Sequence, residues 1–166
     1  MTRPEVIHRS AHISDCGKYR YALTRSLLFG AGTVNFIMLN PSTADAEVDD
    51  PTIRRCIGFA NDWGYEKLVV TNLFALRSTN PDALARAADP IGPKNEQAIF
   101  DNAYGSEMVV CAWGVGGRLN DRGLSVRRKL WSFCEPHVLR LTASGHPSHP
   151  LYLPALLRPV EWRISR

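Results

Sequence analysis

The 166-residue chain has no apolar run approaching the ~20 residues that a membrane-spanning helix needs, no Cys-x-x-Cys pair, no internal repeat and no low-complexity tract. The first absence argues against a helical membrane protein. The opening Met-Thr-Arg-Pro-Glu lacks the apolar core of a secretory signal, so the expected protein is soluble and cytoplasmic, with no membrane partner. The four cysteines, Cys16, Cys56, Cys111 and Cys134, are widely spaced, and the last three fall in predicted helix or strand, where free cysteine acts as a small buried apolar residue. With no linker and a hydrophobic content of 45%, residues 1–166 read as one domain with a real core, too short for two ordinary domains. The formal net charge of +4 permits a polyanionic partner without requiring one. Basic residues crowd at Arg118, Arg122, Arg127, Arg128 and Lys129, either as a solvated helix face or as phosphate contacts; acidic ones crowd at Asp45, Glu47, Asp49 and Asp50.

What is present is a series of short apolar runs separated by helical patterns. Residues 19–28 alternate and lead through Gly30-Ala31-Gly32 into a first core strand over 33–39, which suggests an N-terminal hairpin. Asp50-Pro51 opens a helix in which Ile53, Cys56, Ile57 and Ala60 recur at helical spacing until Gly64. Further strands are predicted over 67–74, 107–113 and 138–142, and helices over 83–88, 94–103 and 121–133. Strands that are nearly continuous in apolar residues and alternate with helices call for a parallel sheet covered on both faces, with all strand ends on one edge.

That edge is where ligands bind in open α/β sheets, and four strands end on distinctive residues. The first breaks at Asn40-Pro41, a common turn opener. The second carries Asn72 in a run suited to burial, where an amide must find partners in backbone, water or ligand. The third ends on Trp113-Gly114, and the glycine turn that follows lacks the Lys of a nucleotide phosphate loop. The fourth runs into Gly145-His146-Pro147-Ser148, where the rigid proline holds the His146 ring at the sheet edge. His146 with His149 could also ligate a metal, but His8, His12 and Cys16 complete no recognised zinc spacing, so neither metal nor cofactor is expected.

Taken in order, Asn40-Pro41, Asn72-Leu73-Phe74, Ala112-Trp113-Gly114 and His146-Pro147-Ser148 resemble the strand-end motifs of the uracil-DNA glycosylase superfamily, over residues 33–150. The stretch from Met38 through Asn40-Pro41-Ser42-Thr43-Ala44-Asp45 also resembles a functionally uncharacterised group of bacterial and phage domains. The superfamily resemblance implies a single α/β domain whose mainly parallel four-stranded core has the order 2-1-3-4, with helices on both faces and an N-terminal hairpin. It implies a DNA glycosylase-like hydrolase that cleaves the N-glycosidic bond of a damaged or modified base extruded from DNA. Asn40 and Asp45 would then place and activate water, and His146 would hydrogen-bond the departing base. Asn72, Phe74 and Trp113 would hold that base, and Ser42, Thr43 and Ser148 the flanking phosphates. Leu39 and Ser42 stand where superfamily members with Asn-Pro usually have Gly, which predicts an altered base pocket. Because Asn is no proton acceptor, Asp49 and Asp50 are alternative acids to Asp45. A non-catalytic module for modified bases, or an enzyme of free modified nucleotides or nucleobases, fits the same residues.

Overall fold

The structure, a computed structural model, describes residues 3–163. Its strands are β1 (Val6–Ile13), β2 (Arg20–Leu27), β3 (Thr33–Met38), β4 (Lys67–Asn72), β5 (Met108–Cys111), β6 (His137–Val138) and β7 (Val160–Glu161). They form one mixed sheet in the order β1-β2-β4-β3-β5-β6-β7. Its central members β4, β3, β5 and β6 are parallel, while β1, β2 and β7 add antiparallel pairings on the two sides. The sheet is therefore seven-stranded and mixed, which corrects the expected four-stranded one.

Two local differences explain the extra strands. The hairpin joins β1 to β2 through a turn closed by Ser14 N–H donating to Tyr19 O at 2.9 Å, not β2 to β3. β3 is flanked by β4 and β5, so β2 takes the outer side of β4 instead. β1 escapes a search for alternation because an outer strand with a half-exposed, polar sequence needs no continuous apolar face. The fourth strand shrinks to His137–Val138 because the chain after Leu139 folds back on itself.

Helix α1 (Pro51–Asp62) begins where the sequence places it. The Asp50 side chain accepts a hydrogen bond from Ile53 N–H at 2.9 Å, and Pro51 in the first turn has no N–H to leave unpaired. Its buried Ile53, Cys56, Ile57 and Ala60 pack on the sheet face formed by Val34, Phe36 and Met38. There Phe36 stacks with Trp63 at 5.8 Å between ring centroids. Burying such a side chain contributes roughly 1.5–3 kcal/mol. The single-turn α2 (Ala83–Arg86), α3 (Asn95–Tyr104) and α4 (Arg122–Leu130) bury Leu84, Ile99, Val126 and Leu130 against Ile37, Val109 and Cys111, on the other face. Both faces of the parallel strands are thus covered, and only their ends remain for a site. Cys56 and Cys111 are buried, Cys134 is half-buried, and Cys16 is exposed; all four are free thiols. Among the described residues, no helix is long and apolar enough to cross a membrane.

Candidate active site

Beyond the carboxyl ends of β3 and β4 lies a cavity of about 200 Å³. Asn40, two residues past β3, reaches it with its amide anchored: Nδ2 donates to Ser78 O at 2.9 Å and to Pro41 O at 3.2 Å. That pairing assigns the amide orientation and leaves Oδ1 without a hydrogen bond among the described residues. Asn72 ends β4 and is buried. Its Oδ1 accepts from Arg20 Nη2 at 3.4 Å and its backbone carbonyl accepts from Asn95 Nδ2 at 2.9 Å, while its own Nδ2 is unpaired among the described residues.

Asp50 lines the same cavity. One carboxylate oxygen caps α1, and the other has no partner among the described residues. Opposite in chemistry stands His149, half-buried in the wall. Its Nδ1 accepts from Leu151 N–H at 3.3 Å, so the neutral ring carries its proton on Nε2 and is a donor there. Burial pushes the His149 pKa down, against the opposing pull of the Asp50 charge, and this favours the neutral ring.

His146 is not part of this cavity. Past Leu139 the chain makes a tight reversal: Gly145 N–H donates to Thr142 O at 2.9 Å, Thr142 N–H to His146 O at 2.7 Å, and Leu141 pairs with Pro147. Gly145, at φ +81°, sits in the left-handed region that the turn needs. The reversal carries His146 into a neighbouring depression beside Trp162, and the returning arm brings His149 to Asn40 and Asn72. The expected convergence of Asn40 with His146 is corrected by this geometry.

Other expected residues divide similarly. Phe74 is 0% exposed in the core between sheet and helices, so it cannot stack on a base. Trp113 is buried between the two cavities, edge-on to Trp162 at 5.5 Å, and a Cβ on Gly123 would stand 2.8 Å from its Nε1. Ser42 lines the Asn40 cavity, whereas Thr43 and Ser148 do not. Asp45 is also outside it: its carboxylate accepts from Glu47 N–H and Val48 N–H, both at 2.8 Å, and these bonds hold its pKa below the ordinary value while closing its own turn. Asp49 is bound by Arg9 at 2.6 Å and Arg25 at 2.8 Å. Of the four acidic residues in this loop, Asp50 is the one that lines the cavity. Leu39, the residue before Asn40, packs where a Cβ on Gly116 would come within 2.6 Å of its Cδ2.

Asp50 had a visible signal, an acid directly before a helix-opening proline. His149 drew notice only as a metal partner of His146. Arg20, which also lines the cavity, had none, since an arginine in an alternating strand reads as solvent-facing. Among the described residues, no group of three or more His, Cys, Asp or Glu could hold a metal ion. A family model described as a protein of unknown function (DUF1643) matches residues 20–151. No curated protein and no solved structure matches the chain.

Proposed function

The chain belongs to the DUF1643 family, and we propose that it is an N-glycosyl hydrolase acting on a damaged or modified base extruded from DNA. The observation that carries this reading is the meeting of Asn40, Asp50 and His149 in one small cavity at the carboxyl edge of the parallel strands. The resemblance of the strand ends to the uracil-DNA glycosylase superfamily supports it. So does the order of the parallel strands, in which the second, first, third and fourth core strands lie side by side as that superfamily implies. The cavity is smaller than the ~300–1,000 Å³ typical of drug-sized ligands, which suits a single base ring rather than a whole nucleotide.

In this reading Asn40 Oδ1 accepts a hydrogen bond from water, and the free Asp50 oxygen takes the water proton. The water oxygen bonds to the anomeric carbon as the carbon–nitrogen bond breaks, and the bonding pair leaves with the base. His149 Nε2–H donates to the base oxygen on which charge gathers, and the anion then takes up the proton that water lost. Asn72 Nδ2 supplies a further donor to the base edge. A second reading, a module that recognises a modified base without cleaving it, is favoured by the position of His146 outside the cavity.

Duplex oligonucleotides, each with one damaged or modified base, test both readings through alkali-revealed abasic sites. The Asp50→Asn variant keeps a helix cap of equal rank, so it should stay folded yet lose excision. Excision by Asp50→Asn equal to that of the wild type overturns the mechanism. A wild type that excises no base yet binds one modified duplex tightly favours the recognition module.

A further inference from the structure

Arg20 is 2% exposed, yet it forms no ion pair among the described residues. Of the five N–H donors of a guanidinium, it uses one on Ala44 O at 2.8 Å and one on Asn72 Oδ1 at a long 3.4 Å. Its Nε is buried without a partner. The contrast with Arg25 is informative. Arg25, equally buried in the same strand, is held by the Asp49 carboxylate at 2.8 Å and by the carbonyls of Thr24 and Asp45 at 2.9 and 2.7 Å. A buried cation left under-satisfied costs stability unless something compensates it. Burial lowers the Arg20 pKa to about 10, with the charge of Asp50 opposing, so the group is still cationic at neutral pH.

Among the described residues, the ionisable side chains lining the cavity are Arg20, Asp50 and His149. With His149 neutral, the lining carries one positive and one negative charge. A dianionic phosphate would meet a single cation and be repelled by Asp50, whereas a carboxylate brings one charge in the planar form that a guanidinium matches with paired hydrogen bonds. At about 200 Å³ the cavity has room for a ring bearing one substituent. We propose that this cavity selects a base bearing a carboxylate substituent, with Arg20 as the anion receptor in its wall and Asn72 Nδ2 as a second donor. The proposal rests on the reading of the cavity as a base site, and it names the class of base.

The test is calorimetric titration of the full chain with free 5-carboxyuracil, thymine and inorganic phosphate. The first two differ only in a carboxylate against a methyl group on the same ring carbon. A hydrogen-bonded charge pair predicts that 5-carboxyuracil binds roughly ten- to a hundredfold more tightly than thymine. Arg20→Gln should erase that preference and Arg20→Lys restore part of it. Asp50→Asn, which retains the helix cap, should tighten 5-carboxyuracil more than thymine, because it removes the negative charge facing the carboxylate. The ligand comparison in the wild type stands even if the Arg20 variants do not fold. Equal binding of the two bases, or tighter binding of phosphate than of 5-carboxyuracil, overturns the proposal. Because these are binding measurements, they are independent of turnover: excision of neutral bases without preference for a carboxylated one sinks this selectivity and leaves the hydrolase, whereas carboxylate-selective binding without excision sinks the hydrolase alone.

Discussion

The Nδ1 of His149 accepts a backbone hydrogen bond, and that one contact decides which ring nitrogen can donate. If the donor acts on the departing base, His149→Ala should lower excision by ~10²-fold or more, the scale for losing one oxyanion-type donor. His146→Ala, altered outside the cavity, should stay within a few-fold of the wild type; abasic-site assays on the two variants separate the histidines. A stability signature accompanies this role. Burial lowers the folded pKa of His149 below its ordinary 6.5, so below that pH the unfolded chain binds the proton more readily than the folded one. The contribution is complete above about pH 6.5 and is lost as pH falls from there toward the folded value. Urea denaturation from pH 7.5 to 5 should show this decline in the wild type and a smaller one in His149→Gln.

Among the elements, the acidic loop between β3 and α1 depends most on one anchor. Asp49 is pushed up by its burial but pulled down further by the hydrogen bonds of Arg9 and Arg25, and its pKa lies below the ordinary 3.8. A depressed carboxylate contributes stability that is present above pH 3.8 and lost as pH falls through the folded value. Asp49→Ala leaves the Arg25 guanidinium buried without its carboxylate, and a loss of about 3–5 kcal/mol is expected from denaturant curves at pH 7. The first turn of α4 has a packing role of the same importance, because Gly123 there lies against Trp113. Gly123→Ala would press a methyl group onto the Trp113 indole and should cost about 1–3 kcal/mol. The same elements mark how far the sequence could be read. The cap at Asp50, the helical spacing in α1 and the apolar runs of β3, β4 and β5 were all visible, because each is set by neighbours within a turn or a strand. The reversal at Thr142–His146 was not, since it is closed by Gly145 and by a pairing of Leu141 with Pro147 that only the folded chain reveals.

For the whole molecule, a net charge of +4 gives no more than a modest attraction to nucleic acid. If the substrate is an extruded base, binding to duplex DNA should weaken with added salt, and neutralising two or three phosphates gives a slope of about −2 to −3 in log K against log salt. A slope near zero in fluorescence anisotropy, together with binding of free bases, moves the substrate from DNA to small molecules.

The alternation of apolar strands with amphipathic helices determined, by itself, that parallel strands would be covered on both faces and that polar residues would gather at their carboxyl ends. Asn40 and Asn72 follow from that rule, because their distance from a strand end is counted along the chain. Which side chains join them is a different kind of fact. Phe74 is withdrawn into the core and His146 turned away, while Arg20, from an antiparallel strand outside the parallel set, is brought in beside β4. Strand pairing across the sheet and a reversal of a few residues made those choices, and both depend on contacts between segments that are distant in sequence, so only the tertiary structure could decide them.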